Sequence, residues 1–329
     1  MSDLLPYDDD TFKLFYNIAV TLNRKINSLK ISDFKTIDNL PKCQDDSWVN
    51  TEYRKAKGCL TIDAKCLVET PPKYFGKVNF VFVYSNCGDT VTAPCAFFDD
   101  PNSQLDDSKE KLSFNTYFYL TNCDGTFLFI TENGDHPIAT IVHELTHSYD
   151  CFIARKDGTD DSATHNKTED AKNYIYHKYK ISRTAPLSDS EVDELISNYL
   201  EALYFSMKTE KNAHIAQYKA VCELRAKGCV SNGCLTNLSS RIEQILERLE
   251  ESEELIKTNL KSIKEHFDKM ELGSIFSDSY TKATDEEIVN DITTILRKDL
   301  QEITSAFESI RIDYKIQGVP SQVANYLNM

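Results

Sequence analysis

The 329-residue chain has no apolar stretch near the roughly 18 residues that a membrane-spanning helix needs. It is also poor in basic residues, with 37 Lys and Arg against 52 Asp and Glu and a net charge of −15. Because affinity for nucleic acids depends on clustered Lys and Arg, this balance argues against a nucleic-acid partner. The first residues lack the basic segment and apolar core of a signal peptide. We therefore expect neither a membrane span nor nucleic-acid binding.

The cysteines are the most unusual feature of the composition. There are 10, an even number, which suggests disulfides and an oxidising compartment. Glycosylation sequons begin at Asn166 and Asn237 and are compatible with secretion. We expect a protein of the secretory lumen or the extracellular space, and a cytosolic protein with free thiols is the alternative.

The hydrophobic pattern predicts strands followed by helices. Residues 78–84, 114–120 and 126–130 have the composition of strands, and Asp124-Gly125 between the last two predicts a hairpin. Region 40–76 is rich in Cys, Pro, Gly and Lys and is predicted to be irregular. Apolar residues at three- and four-residue steps predict helices at 10–31, 169–181, 188–227, 238–270 and 286–314.

One further helix carries the main chemical signal, His143-Glu144-Leu145-Thr146-His147. One helical turn separates the two histidines of this H-E-x-x-H motif, so both imidazoles can bind one metal ion. Glu144 lies on the neighbouring edge, where a carboxylate can act as the general base of a metallopeptidase. Pro137 suits the first helical turn, with Asp135 or His136 near the cap. An apolar stripe beside the histidines anchors this helix in a core and comprises Ile138, Ile141, Val142, Leu145 and Tyr149.

Three short segments flank this motif, one before it and two after it. Gly158–Asp161 reads G-T-x-D, Asn198–Phe205 is an Asn-containing segment ending in Tyr-Phe, and Cys95–Phe98 precedes the motif. In this order the chain resembles the aspzincin metallopeptidases, the group of deuterolysin and the lysine-specific metalloendopeptidases. The resemblance implies one catalytic Zn²⁺ bound by His143, His147 and Asp161, with Glu144 as base. The family's following Tyr-Gly is replaced by Thr164-His165.

Three other carboxylates compete with Asp161 as the third ligand. Glu169 lies at the distance of the ligand in thermolysin-like enzymes, and Glu201 lies at a longer distance like that of the neprilysin group. Glu223 lies in Cys222–Ala226, which is similar to an S-E-x-R-A element of a mitochondrial intermembrane-space peptidase family. The alternatives stay open. The remaining histidines are expected at the surface or in packing, namely His136, His165, His177, His214 and His266.

These observations predict an α+β protein with a zincin-like catalytic domain, consisting of a small mixed sheet and the motif helix, and a C-terminal helical hairpin. The expected divisions are an N-terminal region 1–76, a catalytic domain 77–235 and a hairpin domain 236–329. The expected function is a zinc-dependent endopeptidase acting on a protein or peptide substrate. The alternative is an inactive or latent zincin-fold binding protein that acts through its C-terminal helices.

Overall fold

The computed structural model describes residues 4–36, 56–88, 96–99, 111–130, 135–157, 201–202, 204–249 and 285–316. The chain divides into two compact units, Met1–Asp161 and Ser162–Met329. The fold is α+β, as the sequence predicts: the first unit contains a mixed sheet and two long helices. The described part of the second unit is helical.

The sheet of the first unit has the order β1-β2-β3-β5-β4, and β6 pairs with β5. Only the β3–β5 pair is parallel, whereas all other neighbours are antiparallel. The strands are β1 (Lys35–Thr36), β2 (Gly58–Asp63), β3 (Phe75–Asn86), β4 (Ala96–Asp99), β5 (Leu112–Cys123) and β6 (Thr126–Phe129).

The central parallel pair is buried on both faces. Val81 lies opposite Tyr117, and these two residues form an apolar cluster on one face together with Val83 and Tyr119. On the other face Phe82 stacks on Phe118 with ring centroids 5.5 Å apart. Two buried faces explain why the sequences of these strands are almost continuously apolar rather than alternating.

The predicted hairpin is confirmed between β5 and β6. Asp124 and Gly125 both have positive φ, 52° and 87°, which is the conformation that a two-residue type I′ turn requires. The Gly125 N–H donates to Asn122 Oδ1 at 3.0 Å. The Asp-Gly pair therefore sets the register of β6 on β5.

Two helices complete the first unit. Helix α1 (Asp9–Ile26) is capped by Asp8, whose carboxylate accepts from the Thr11 N–H at 2.8 Å. Its apolar face, which includes Phe15, Ile18 and Leu22, is fully buried. Helix α2 (Pro137–Asp157) carries the H-E-x-x-H motif and contacts α1, β4 and β5.

The described helices of the second unit are α3 (Lys208–Ala226), α4 (residues 232–249) and α5 (Asp285–Asp313). Helix α3 packs on α5, where Tyr218 and Phe307 stack at 4.0 Å with an interplanar angle of 6°. At the same contact Lys211 Nζ donates to Glu302 Oε2 at 2.7 Å.

Two predicted elements are wrong in part. Region 40–76, predicted as irregular, contains β2, because Gly58–Asp63 pairs along its full length with β3. The predicted helix 188–227 is interrupted at Met207, whose φ of −60° and ψ of 136° are extended, so α3 starts at Lys208. Residues 250–284, which include the second part of the predicted helix 238–270 and the loop of the predicted hairpin, lie outside the described residues. The predicted divisions at 76 and 235 stay predictions.

Among the described helices, none combines the length and the apolar character that crossing a bilayer requires.

Candidate metal centre

The start of α2 is fixed by His136 and Pro137. The Ile138 N–H donates to the His136 Nδ1 at 3.2 Å, and the His136 carbonyl accepts from the Ala139 and Thr140 N–H groups. Of the two residues that the sequence places near the cap, Asp135 and His136, it is therefore His136 that caps the helix, and Pro137 stands at the first helical position. Burial lowers the pKa of His136, which favours the neutral ring that a nitrogen acceptor requires.

His143 and His147 converge on α2. Their Nε2 atoms lie 3.2 Å apart and their rings meet edge to face, with centroids at 4.9 Å. His143 is only 7% exposed, and His147 is partly buried. The same nitrogen of each ring therefore points to one place.

The distance between these nitrogens can be compared with that in a zinc site. Zinc binds imidazole nitrogen at about 2.0–2.1 Å in tetrahedral geometry, so two such nitrogens lie roughly 3.3 Å apart. The observed 3.2 Å agrees with this distance. The two histidines thus fit a shared metal ion without a change of rotamer.

Glu144 lies between the two histidines in sequence and is 7% exposed. On a helix its side chain is about 60° from that of His147 and 100° from that of His143. A carboxylate at this edge can exchange protons with a molecule that is held next to the imidazole nitrogens. Glu144 therefore lies beside the helix face that carries the two imidazoles, not on it.

Tyr7 and Tyr74 form a layer of aromatic and hydroxyl contacts with residues of α2. Tyr7 Oη and Thr146 Oγ1 are hydrogen-bonded at 2.8 Å, and Thr146 also donates to the Val142 carbonyl at 2.8 Å. Tyr74 stacks on Phe152 with centroids 4.6 Å apart. Burial raises the pKa values of Tyr7 and Tyr74, so both phenols stay neutral. Sequence reasoning missed this layer, because no local pattern links residue 7 to residue 146.

The four predicted third ligands fall into two groups. Asp161 and Glu169 lie outside the described residues. Glu201 Oε2 accepts from Arg248 at 3.2 Å, and Glu223 is paired with Lys227 at 2.9 Å. Burial alone would raise the pKa of Glu223, but hydrogen bonds from Lys227 and Tyr314 lower it. These pairings give Glu201 and Glu223 local cationic partners on the second unit.

Within the second unit, Glu210 and His214 lie one turn apart on α3, with the Glu210 Oε2 and the His214 Nε2 3.9 Å apart. The sequence placed His214 among the surface or packing histidines and gave no role to Glu210. A signal was present in the sequence, because Glu210 and His214 have the same four-residue spacing as His143 and His147.

The described cysteines form no disulfide with one another. These are Cys59, Cys66, Cys87, Cys123, Cys151, Cys222, Cys229 and Cys234. Burial raises the pKa of the Cys222 thiol to about 12, so this group remains protonated at neutral pH. Disulfide formation and secretion stay predictions from the number of cysteines.

Comparison with protein-family models, with curated proteins and with solved structures gives no match for this chain. The functional interpretation therefore depends on the geometry of the side chains.

Proposed function

We propose that this protein is a zinc-dependent endopeptidase. The observation that carries the proposal is the 3.2 Å separation of His143 Nε2 and His147 Nε2, with the buried Glu144 at the adjacent edge of the helix. Zn²⁺ is the metal that best suits two imidazoles on one helical face with a neighbouring glutamate. The order of short motifs that resembles the aspzincins supports the same chemistry.

In this proposal His143 and His147 hold the metal through Nε2. When bound, zinc supplies Lewis-acid polarisation and lowers the pKa of water. Glu144 accepts the proton of the attacking water on its carboxylate and then donates it to the leaving amine. His143 and Glu144 are almost fully buried, and this limits competing contact with bulk solvent. Asp161 remains the third ligand implied by the resemblance.

The decisive experiment compares wild type with Glu144→Gln on a library of unstructured peptides. Wild type loaded with zinc should cleave peptides, and a chelator should stop the cleavage. Glu144→Gln should bind zinc but lose about 10²–10⁴-fold in kcat/KM, because a general base contributes this much. Glu243→Gln, on helix α4, is a matched control for the loss of a partly buried carboxylate.

Full activity of Glu144→Gln would sink the proposed mechanism. Absence of cleavage by wild type, with or without bound metal, would favour the alternative of a binding protein that acts through its C-terminal helices.

A further inference from the structure

Two cysteines of the first unit lie opposite each other at the ends of β3 and β5. The register of these parallel strands runs to Asn86 opposite Asn122, and the next N–H, that of Cys87, donates to the Asn122 carbonyl at 3.0 Å. This slanted bond continues the parallel ladder by one step and places Cys87 opposite Cys123. Because opposite residues of neighbouring strands project from the same face of a sheet, both thiols lie on one face.

The separation of these two cysteines suits a covalent bond. Neighbouring strands lie about 4.7–4.9 Å apart, and disulfides join residues whose Cα atoms are roughly 4.4–6.8 Å apart. The two thiols are already in contact, since a hydrogen bond with Cys123 is the main reason why the pKa of the Cys87 thiol is raised. Side-chain rotation, without a shift of either strand, can therefore bring the two sulfur atoms together.

The pair is also accessible to small molecules. Cys87 is exposed and Cys123 is half-buried. A turn follows each of them, because Gly88 has a φ of 89° and Asp124-Gly125 forms the turn between β5 and β6. Both cysteines thus stand where a strand leaves the sheet, so a reagent can reach them without opening the core.

We infer that Cys87 and Cys123 are a redox pair that forms a disulfide between the ends of β3 and β5, with a small-molecule disulfide as the oxidant. One thiolate attacks a sulfur of the oxidant, which gives a mixed disulfide and releases one small thiol. The second thiolate then attacks the protein sulfur of the mixed disulfide, closes the Sγ–Sγ bond and releases the second small thiol. The pair loses two protons and two electrons, and the oxidant is reduced to two thiols.

The test exposes the reduced full chain to mixtures of reduced and oxidised glutathione, blocks the remaining thiols by alkylation and maps the unreduced peptides by mass spectrometry. Because the contact with Cys123 raises the pKa of the Cys87 thiol, the exchange is run at mildly alkaline pH. Peptides joined through Cys87 and Cys123 should accumulate. Cys66, an exposed cysteine of the same unit, is the internal reference. Half-oxidation of the pair should need at least about 10-fold less oxidised glutathione than half-modification of Cys66, because the second thiol is held at a high effective concentration.

Variants separate the pair from its members. In Cys87→Ser the Cys123 thiol should be recovered as a mixed disulfide with glutathione, and Cys123→Ser should have the same effect on Cys87. Cys66→Ser is the matched control and should give the same linked peptides as wild type. In denatured wild type the preference for this link should disappear, because only the folded sheet holds the two strand ends together.

Two results in folded wild type would overturn the inference. One is recovery of Cys87 and Cys123 only as separate glutathione adducts, and the other is a link between them that is no more abundant than in the denatured chain. The inference does not depend on metal binding or on peptide hydrolysis. Failure of the proposed function is therefore distinguishable, since it is measured by zinc-dependent cleavage and its loss in Glu144→Gln.

Discussion

Helices α2 and α3 each present two residues of metal-binding type one turn apart, but they hold them in different ways. In α2 the pair lies beside an apolar stripe, and Tyr7 and Tyr74 contact Thr146 and Phe152 of the same helix. In α3 the His214 ring is held by direct contacts, from the Gln217 amide and the Phe205 ring. Two side chains at a four-residue spacing can therefore be oriented either by packing of the helix that carries them or by direct contacts to one of the rings.

The largest expected effect tests the direct contacts on α3. Phe205 is 1% exposed, stacks on His214 and lies beneath the Arg241 guanidinium, which is 4.8 Å from the ring centroid. Phe205→Ala should lower the free energy of unfolding by about 3–5 kcal/mol, as removal of a buried phenylalanine does. Chemical denaturation measures this loss. Phe205→Leu, which keeps most of the apolar volume, should lose less than half as much, and equal losses would show that the ring contacts rather than the buried apolar volume provide the stabilisation.

A smaller effect tests the packing behind α2. Tyr7→Phe removes the hydrogen bond to Thr146 but keeps the ring, and Thr146 retains its bond to the Val142 carbonyl. We expect a loss of about 1 kcal/mol in unfolding free energy, the usual net value of such a bond. A double-mutant cycle with Thr146→Val measures the coupling directly. A coupling free energy near zero would mean that the hydrogen bond between Tyr7 and Thr146 does not stabilise the packing of α2.

The smallest expected effect is a pH dependence of the free energy of unfolding, which arises from His136 at the start of α2. The pKa of His136 is lower in the folded protein than its ordinary value of 6.5, because burial disfavours the charged ring. The unfolded chain therefore takes up the proton first as the pH falls. The stabilisation that the neutral His136 cap contributes is complete above pH 6.5. It is lost as the pH falls through the lower pKa of His136 in the folded protein. Its size should be about 0.5–1 kcal/mol, the value of a helix cap.

The matched variant for this prediction is His136→Asn, which retains a capping side chain without a titrating ring. The difference in unfolding free energy between wild type and His136→Asn, measured from pH 7.5 to 5, should change in favour of the variant at low pH. A difference that does not vary with pH would show that His136 does not titrate as the cap.

Features that depend on residues close together in the sequence are predicted correctly, whereas features that depend on distant residues are not. The H-E-x-x-H helix, its start at Pro137 and the Asp-Gly hairpin depend on residues close in sequence, and all three were predicted. Strand β2 was missed, because its pairing with β3 rather than its own composition makes it a strand. The contact of Tyr7 with Thr146 spans 139 residues, and no periodicity reports it. Glu210 and His214 received no role from the sequence, because their four-residue spacing is common on helices and the burial of His214 depends on the fold.

Joint binding of zinc by His143 and His147 is measured by X-ray absorption at the zinc edge of the full chain loaded with one equivalent of zinc. We expect nitrogen and oxygen neighbours at about 2.0–2.1 Å, with the scattering pattern of at least two imidazoles, and one imidazole fewer in His147→Ala. With 10 cysteines in the chain, sulfur ligation is the realistic competitor. A shell dominated by sulfur at about 2.3 Å, unchanged in His147→Ala, would contradict the account.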